Sequence, residues 1–116
     1  GRRCRCGRVA ELAARIMIRI NIASEFIEIR GHSGYAERGK DIVCAAVSAL
    51  TLALARALEE LTTGGCSEEE TDGFVRIRYD PNDPVSLLLI RQFVIGVQMI
   101  SEEYPEYVAL SSRVLF

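Results

Sequence analysis

The stretch 41–61, DIVCAAVSALTLALARALEEL, dominates the folding of this chain. From residue 42 onward it is rich in alanine, leucine and valine, which favour a helix, and Asp41 is a residue type preferred at helix N-caps. Its first three turns are apolar on nearly every side, so the helix needs cover on more than one side. The sequence therefore predicts a long buried helix that ends at the glycines in residues 62–65.

On both sides of this helix, alternating apolar and polar residues predict strands. The segments 18–22 and 26–30 predict a hairpin, which leads through the glycine-containing loop 31–40 into the helix. Downstream, the sequence predicts an acidic solvated loop over 67–72, a strand over 74–79, a second helix from about Val85 to Glu103 and a last strand over 108–116.

These elements follow the order β-β-α-β-α-β. The fold class that they predict is α/β (α+β), with a mixed four-stranded sheet and both helices packed on one of its faces. At 116 residues, of which 49% are hydrophobic, the chain fits one domain with a real core. We assign that domain to residues 17–116. The apolar helices would gain their remaining cover from a second copy in a homodimer.

Residues 1–16 differ from the rest and are predicted to be a non-native or disordered extension. They hold five arginines and one glutamate, which leaves nine basic and fifteen acidic side chains, a net charge of −6, in residues 17–116. An acidic domain lacks the clustered cations that bind phosphate, so we expect no direct nucleic-acid partner. A basic polypeptide would suit this charge better. No uncharged apolar run reaches membrane-spanning length, and reduced thiols favour a cytoplasmic protein.

The cysteines indicate neither a disulfide nor a metal site. Cys44 and Cys66 would sit about 33 Å apart at the two ends of one helix, too far for a bridge. The other two cysteines, Cys4 and Cys6, lie in the extension, and their spacing is not that of a zinc ligand set. We expect neither a metal nor a cofactor. Cys66 has acidic residues behind it, which raise a thiol pKa, so we expect it to be inert.

Cys44 and His32, the chain's one histidine, are the candidates for chemistry. Cys44 falls in the first turn of the helix, where free amides and the helix dipole favour the thiolate and could hold an oxyanion. The loop after His32 could fold back and bring the imidazole to the sulfur, which is the usual activated thiol. The alternative is that Cys44 is a small buried hydrophobe and His32 a surface residue.

Two neighbours of Cys44 each allow two interpretations. Asp41 could orient His32 as a third catalytic group, or it could serve only as the helix cap. Ser48 lies one turn after Cys44 on the same helix face. It could donate a hydrogen bond into the site, or bond back to the carbonyl of Cys44.

The segment 29–50, IRGHSGYAERGKDIVCAAVSAL, resembles the ribosomal-processing cysteine protease family. The resemblance rests on Gly-His, a glycine-rich loop and then Asp-Ile-Val-Cys-Ala. It implies a homodimeric endopeptidase that removes the N-terminal extension of the twenty-seventh protein of the large ribosomal subunit. It makes Cys44 the nucleophile and His32 the base, with Asp41, Ser48 and Gly31 as supporting residues. Residues 33–40, including Ser33, Gly34 and Gly39, would be a loop that covers the substrate.

Two other functions remain open on the sequence. The acidic surface would also suit a non-catalytic assembly factor that binds a basic ribosomal protein. Cys44 alone would also suit a redox-sensing thiol.

Overall fold

A computed structural model describes residues 17–31 and 41–112. Within these ranges the chain forms five strands and two helices. In chain order they are β1 (Ile18–Ile22), β2 (Phe26–Arg30), α1 (Ile42–Leu61), β3 (Ser67–Thr71), β4 (Phe74–Arg78), α2 (Pro84–Glu103) and β5 (Val108–Ser112). The predicted extension 1–16, most of the loop 31–40 and the end of the predicted last strand lie outside the described residues.

The sheet is mixed, as the sequence predicted. Its strand order is β3-β4-β2-β1-β5, with β5 parallel to β1 and every other neighbouring pair antiparallel. The hairpin between β1 and β2 is closed by the Ala23 amide, which donates to the carbonyl of Phe26 over 2.9 Å. The pairing of β5 with β1 brings the first and last strands of the described chain together at one edge of the sheet.

The prediction of four strands was wrong, because the acidic segment 67–72 is largely a strand. β3 is exposed at all five positions and pairs with β4 at the edge of the sheet. The two-residue connection Asp72-Gly73 makes this pairing possible, since Gly73 adopts a positive φ of 75°. Edge strands in natural proteins often carry charge, which discourages pairing with another chain. The glutamates therefore suit an edge strand as well as a loop.

Both helices cover the same face of the sheet. One core contains the isoleucines of β1 and β2, Ile77 of β4, and the buried sides of α1 and α2. On α1 the buried positions recur at helical spacing, from Val43 through Val47 and Leu54 to Leu58. The helices pack closely where Gly96 of α2 meets Leu50, since a side chain at Gly96 would lie 2.9 Å from Leu50 Cδ1. The sheet's inner face is thus its helix-covered face.

Much apolar surface on the helices remains uncovered. Leu52 and Leu61 on α1, and Leu88, Ile95 and Met99 on α2, are each more than half exposed. By length and composition alone, both helices would also pass as membrane spans, although each packs one side against the sheet. A soluble monomer rarely leaves so many large apolar side chains in water. The outer side of the two helices is therefore an exposed apolar surface.

Candidate active site

Cys44 lies in the first turn of α1, half-buried, with its amide held by the helix cap. Asp41 is the N-cap, and its Oδ1 accepts a hydrogen bond from the Cys44 amide over 2.9 Å. The cap role proposed for Asp41 from the sequence is thus present. The Cys44 amide itself is already occupied, so an oxyanion at this helix end would have to use the amides of Ile42 and Val43. Among the described residues, those two amides have no intrahelical acceptor.

Cys44 borders a groove of about 590 Å³ between α1 and the sheet. The groove has an apolar floor from the inner face, including Ile18, Ile29 and Val75. α1 contributes Cys44, Ala45 and Ser48 to one wall. A half-buried thiol beside an apolar cleft is accessible to an extended polypeptide and still shielded from bulk water on one side.

Ser48 lines the same groove as Cys44, as its place one turn later predicted. Its side chain is exposed, and in the described part of the chain no hydrogen bond joins it to the Cys44 carbonyl. The hydroxyl that does bond back along α1 is that of Thr51, which donates to the Val47 carbonyl over 2.8 Å. Ser48 thus borders the groove, and its donation of a hydrogen bond into the site stays a prediction.

Gly31 ends β2 at the edge of the groove. Its φ of 91° lies in the region that favours glycine, and its amide donates to the Gly73 carbonyl over 2.8 Å. Both described residues that flank the segment 32–40, Gly31 and Asp41, line the groove. His32, Ser33, Gly34 and Gly39 lie outside the described residues. The assignments of His32 as the base and of the loop as a substrate cover therefore stay predictions.

The opposite wall of the groove is acidic, which the sequence did not predict. The hairpin of β3 and β4 contributes Glu70 and Asp72 to the lining. Glu70 lies on the inner face because it pairs with Val75 in the register of the two strands. The signal in the sequence was Asp72-Gly73 between alternating residues, which is typical of a two-residue hairpin. A cationic group in a bound polypeptide would be favoured at this wall.

Cys66 differs from Cys44 in its electrostatic surroundings. Its thiol lies 3.7 Å from the Ala55 carbonyl as a hydrogen-bond donor. Burial, and then the charges of Glu59 and Glu68, raise the pKa of this thiol above its ordinary value. Both causes favour the unreactive protonated form. The expectation that Cys66 is inert thus has a physical basis in its position. Neither Cys44 nor Cys66 forms a disulfide within the described residues.

Known proteins resemble this chain in sequence. The family model described as cysteine protease Prp matches residues 14–109. The ribosomal processing cysteine protease Prp of Mycoplasma genitalium is 32% identical over 107 residues, which cover 84% of this chain and 97% of that protein. The protein of the same name from Staphylococcus aureus strain Mu50 is 32% identical over 86 residues, covering 72% and 81%.

Solved structures resemble it as well. The essential ribosomal processing protease Prp of S. aureus, solved with a covalently linked product peptide, superposes with a TM-score of 0.79 at 28% identity. That match covers 84% of this chain and all of the other. The protein SMU.848 from Streptococcus mutans gives a TM-score of 0.69 at 34% identity, covering 83% and 93%. The chain belongs to the cysteine protease Prp family and is a cysteine protease.

Proposed function

We propose that this chain removes the N-terminal extension of the twenty-seventh protein of the large ribosomal subunit, with Cys44 as its nucleophile. The observation that carries the proposal is the position of Cys44, at a helix N-terminus and on the wall of a groove that suits an extended peptide. The family relationship supports it, because the S. aureus protease was solved with a substrate peptide and with a covalently linked product. A cytoplasmic location would follow, where the thiol stays reduced.

The chemistry would proceed in two steps. The Cys44 sulfur, as thiolate, attacks the carbonyl carbon of the scissile peptide bond, and the amides at the helix entry stabilise the resulting oxyanion. The C–N bond then breaks as His32, in the imidazolium form, gives a proton to the leaving amine. This leaves a thioester on Cys44. Water, losing its proton to His32, attacks the thioester and releases the new carboxylate and the thiolate.

The supporting residues would serve this chemistry through the groove. Asp41 holds the helix entry that presents Cys44, and it is also one of the residues that line the groove. Ser48 would donate a hydrogen bond to the bound substrate or intermediate. Gly31, with its positive φ, sets the direction in which the chain leaves β2 toward His32.

A peptide digest tests the assignment. The intact protein is incubated with a peptide that spans the extension junction of its own ribosomal partner, and the products are identified by mass spectrometry. We expect a single cut, lost in Cys44→Ala. Cys66→Ala is the matched control and should keep the activity. Cleavage that persists in Cys44→Ala would overturn the role of Cys44. Binding of the ribosomal protein with no product from the native chain would favour the assembly-factor alternative.

We also propose that the active form is a homodimer built on the helices. The uncovered apolar side chains on both helices support this, including Leu52, Leu88 and Met99 at 61%, 64% and 64% exposure. Sedimentation equilibrium at micromolar concentration should give the mass of a dimer, and Leu88→Glu should shift it toward the monomer. Arg78→Glu, on the other side of the sheet, is the control and should leave the mass unchanged. A native chain that sediments as a monomer throughout would contradict the proposal.

A further inference from the structure

The charges of this protein are sorted between the two faces of its sheet. The described residues carry six basic side chains, all arginine, and fourteen acidic ones. Four of the six arginines occupy alternate positions of β1, β2 and β4 that point away from the helices. The glutamates on the same face are Glu28 of β2 and Glu69 of β3. The outer face of the sheet is therefore basic, although the described residues as a whole are acidic.

This arginine face consists of Arg19, Arg30, Arg76 and Arg78 with the rings of Phe26 and Phe74. The guanidinium groups of Arg30, Arg76 and Arg78 lie over the rings. The Arg30 guanidinium carbon lies 4.4 Å from the centre of the Phe74 ring, and that of Arg76 lies 5.2 Å from the centre of Phe26. Such contacts hold the charged groups in place on the surface of the sheet.

Glu28 organises the centre of this face. Its side chain is only 10% exposed, and it forms ion pairs with both Arg76 and Arg30. Arg76 Nε donates to its Oε2 over 2.8 Å. Arg19 and Arg30 stand directly opposite each other on β1 and β2, a pairing of like charges that is unfavourable in a sheet.

A shallow depression of about 320 Å³ lies beside this pair of arginines. It is bordered by Arg19 and Arg30, by Asn21 and Glu28, and by β5 at Ala109 and Ser111. Amide and hydroxyl groups next to guanidinium groups make a site that accepts phosphate oxygens and sugar hydroxyls. Within the described residues, the rest of the face is flat, with no helix protruding from it that could enter a duplex groove.

We propose that the arginine face binds single-stranded RNA. Arginines supply bidentate contacts to phosphates, and the stacked guanidinium and phenyl planes supply surfaces on which unpaired bases can stack. An acidic peptide would use the charge alone and leave these planes without a role. From the sequence we expected no nucleic-acid partner, because the net charge of residues 17–116 is negative. Because the basic side chains of the sheet lie together on one face, net charge no longer argues against such a partner. This proposal does not depend on the proteolytic function.

The test is a titration followed by fluorescence anisotropy. The intact protein is added to a labelled 12-nucleotide single-stranded RNA of mixed sequence, at several salt concentrations. The variant pair Arg19→Gln/Arg78→Gln removes two exposed charges from the arginine face. The pair Arg56→Gln/Arg91→Gln removes two exposed charges from the helices and keeps residues 1–16 unchanged. Circular dichroism and urea unfolding check that both variants fold.

We expect the arginine-face pair to weaken binding about tenfold and to lower the slope of log Kd against log salt by about 1.4, near 0.7 for each phosphate that is no longer neutralised. The helix pair should change neither quantity. Peptide cleavage should be unaffected in both. Equal weakening by the two pairs, or no binding by the native chain, would overturn the proposal. So would a 12-residue oligoglutamate that binds as tightly as the RNA with the same dependence on Arg19 and Arg78.

Discussion

The two faces of strand β4 differ in the polarity and the burial of their side chains. Val75 and Ile77 point inward, where the helices close over them and form the core and the floor of the groove. Arg76 and Arg78 point outward and take part in the stacked contacts of the arginine face. The difference shows how period-two alternation lets one short segment serve a catalytic groove and a charged surface at once. Net charge, an average over both faces, describes neither.

The same separation bears on how Cys44 can be activated. The positive side chains of the sheet lie on the face away from the groove, while the groove wall opposite Cys44 carries Glu70 and Asp72. Among the described groups, the N-terminus of α1 is therefore what favours the thiolate, and our proposal adds His32. Glu70 and Asp72 would disfavour a thiolate and would favour a cationic group in a bound polypeptide.

The largest effect that we predict is a difference in unfolding free energy between substitutions on the two faces of β4. Ile77 is fully buried, so Ile77→Ala should lower the free energy of unfolding by about 2–5 kcal/mol, because it removes buried apolar surface and leaves a cavity. Its neighbour Arg78 is exposed, and Arg78→Ala should cost less than about 1 kcal/mol. Urea unfolding followed by circular dichroism measures both values. Similar destabilisation by the two variants would contradict the division into a core face and a surface face.

Local sequence patterns predicted most of this fold. The bounds of α1, the Asp41 cap, the first hairpin and the alternation in β4 each follow from signals within a few residues. The edge strand β3 did not follow, because its composition is that of a solvated loop and only its pairing with β4 makes it a strand. The composition of a segment indicates whether it is exposed to solvent. Whether an exposed segment forms an edge strand depends on hydrogen bonds to the neighbouring strand.

The residues of the candidate site also differ in how well the sequence predicted them. Cys44, Asp41 and Ser48 were predicted together because helix geometry fixes their relative positions. Glu70 and Asp72 were missed, because their place in the groove depends on the hairpin that had been assigned as a loop. The stacked arginines were missed because a register across β2 and β4 brings them onto the phenylalanines. Contacts that depend on strand register need the three-dimensional pairing, which periodicity alone does not supply.

The next largest effect concerns Glu28, at the centre of the arginine face. Glu28→Gln keeps the shape of the side chain and removes the charge that binds Arg76 and Arg30. We expect a decrease of about 1–2 kcal/mol in unfolding free energy, since partly exposed arginines can recover some hydration. The added net positive charge should tighten single-stranded RNA binding about threefold. Glu69→Gln, at an exposed position, is the matched control for stability.

If Glu28→Gln weakened RNA binding, Glu28 would be a contact to the RNA instead of a counter-charge. If the variant were as stable as the native chain, the ion pairs at the centre of the face would contribute nothing to the fold. Both quantities are available from the same purified proteins, by urea unfolding and by fluorescence anisotropy.

A smaller effect should distinguish the two sides of strand β3. Glu70 faces the groove and Glu69 faces outward, in contact with Arg76 at 3.6 Å. Glu70→Gln should lower kcat/KM about twofold to fivefold for a peptide with lysine near the scissile bond, since an exposed ion pair contributes about 0.2–1 kcal/mol. The same peptide with norleucine in place of lysine should show no difference between native and variant. Glu69→Gln should behave as the native enzyme with both peptides. Equal effects of the two variants would show that the acidic wall acts only through overall charge.

The smallest effect that we predict appears at alkaline pH and belongs to the inner side of the sheet. The pKa of Cys66 is raised above its ordinary value of 9.0 by burial, Glu59 and Glu68. The pKa of Tyr79 is raised above 10.0 by burial and Glu25, while its hydroxyl donates to the Ala23 carbonyl over 2.8 Å. In both cases the unfolded chain loses its proton first, so stability is full below the ordinary pKa and falls as the pH rises through the folded value.

Urea midpoints between about pH 8 and pH 11 should therefore decline, with the earlier part of the decline missing in Cys66→Ala and the later part missing in Tyr79→Phe. Superimposable pH profiles for the three proteins would show that neither group senses its burial, and that the alkaline decline comes from the general accumulation of negative charge.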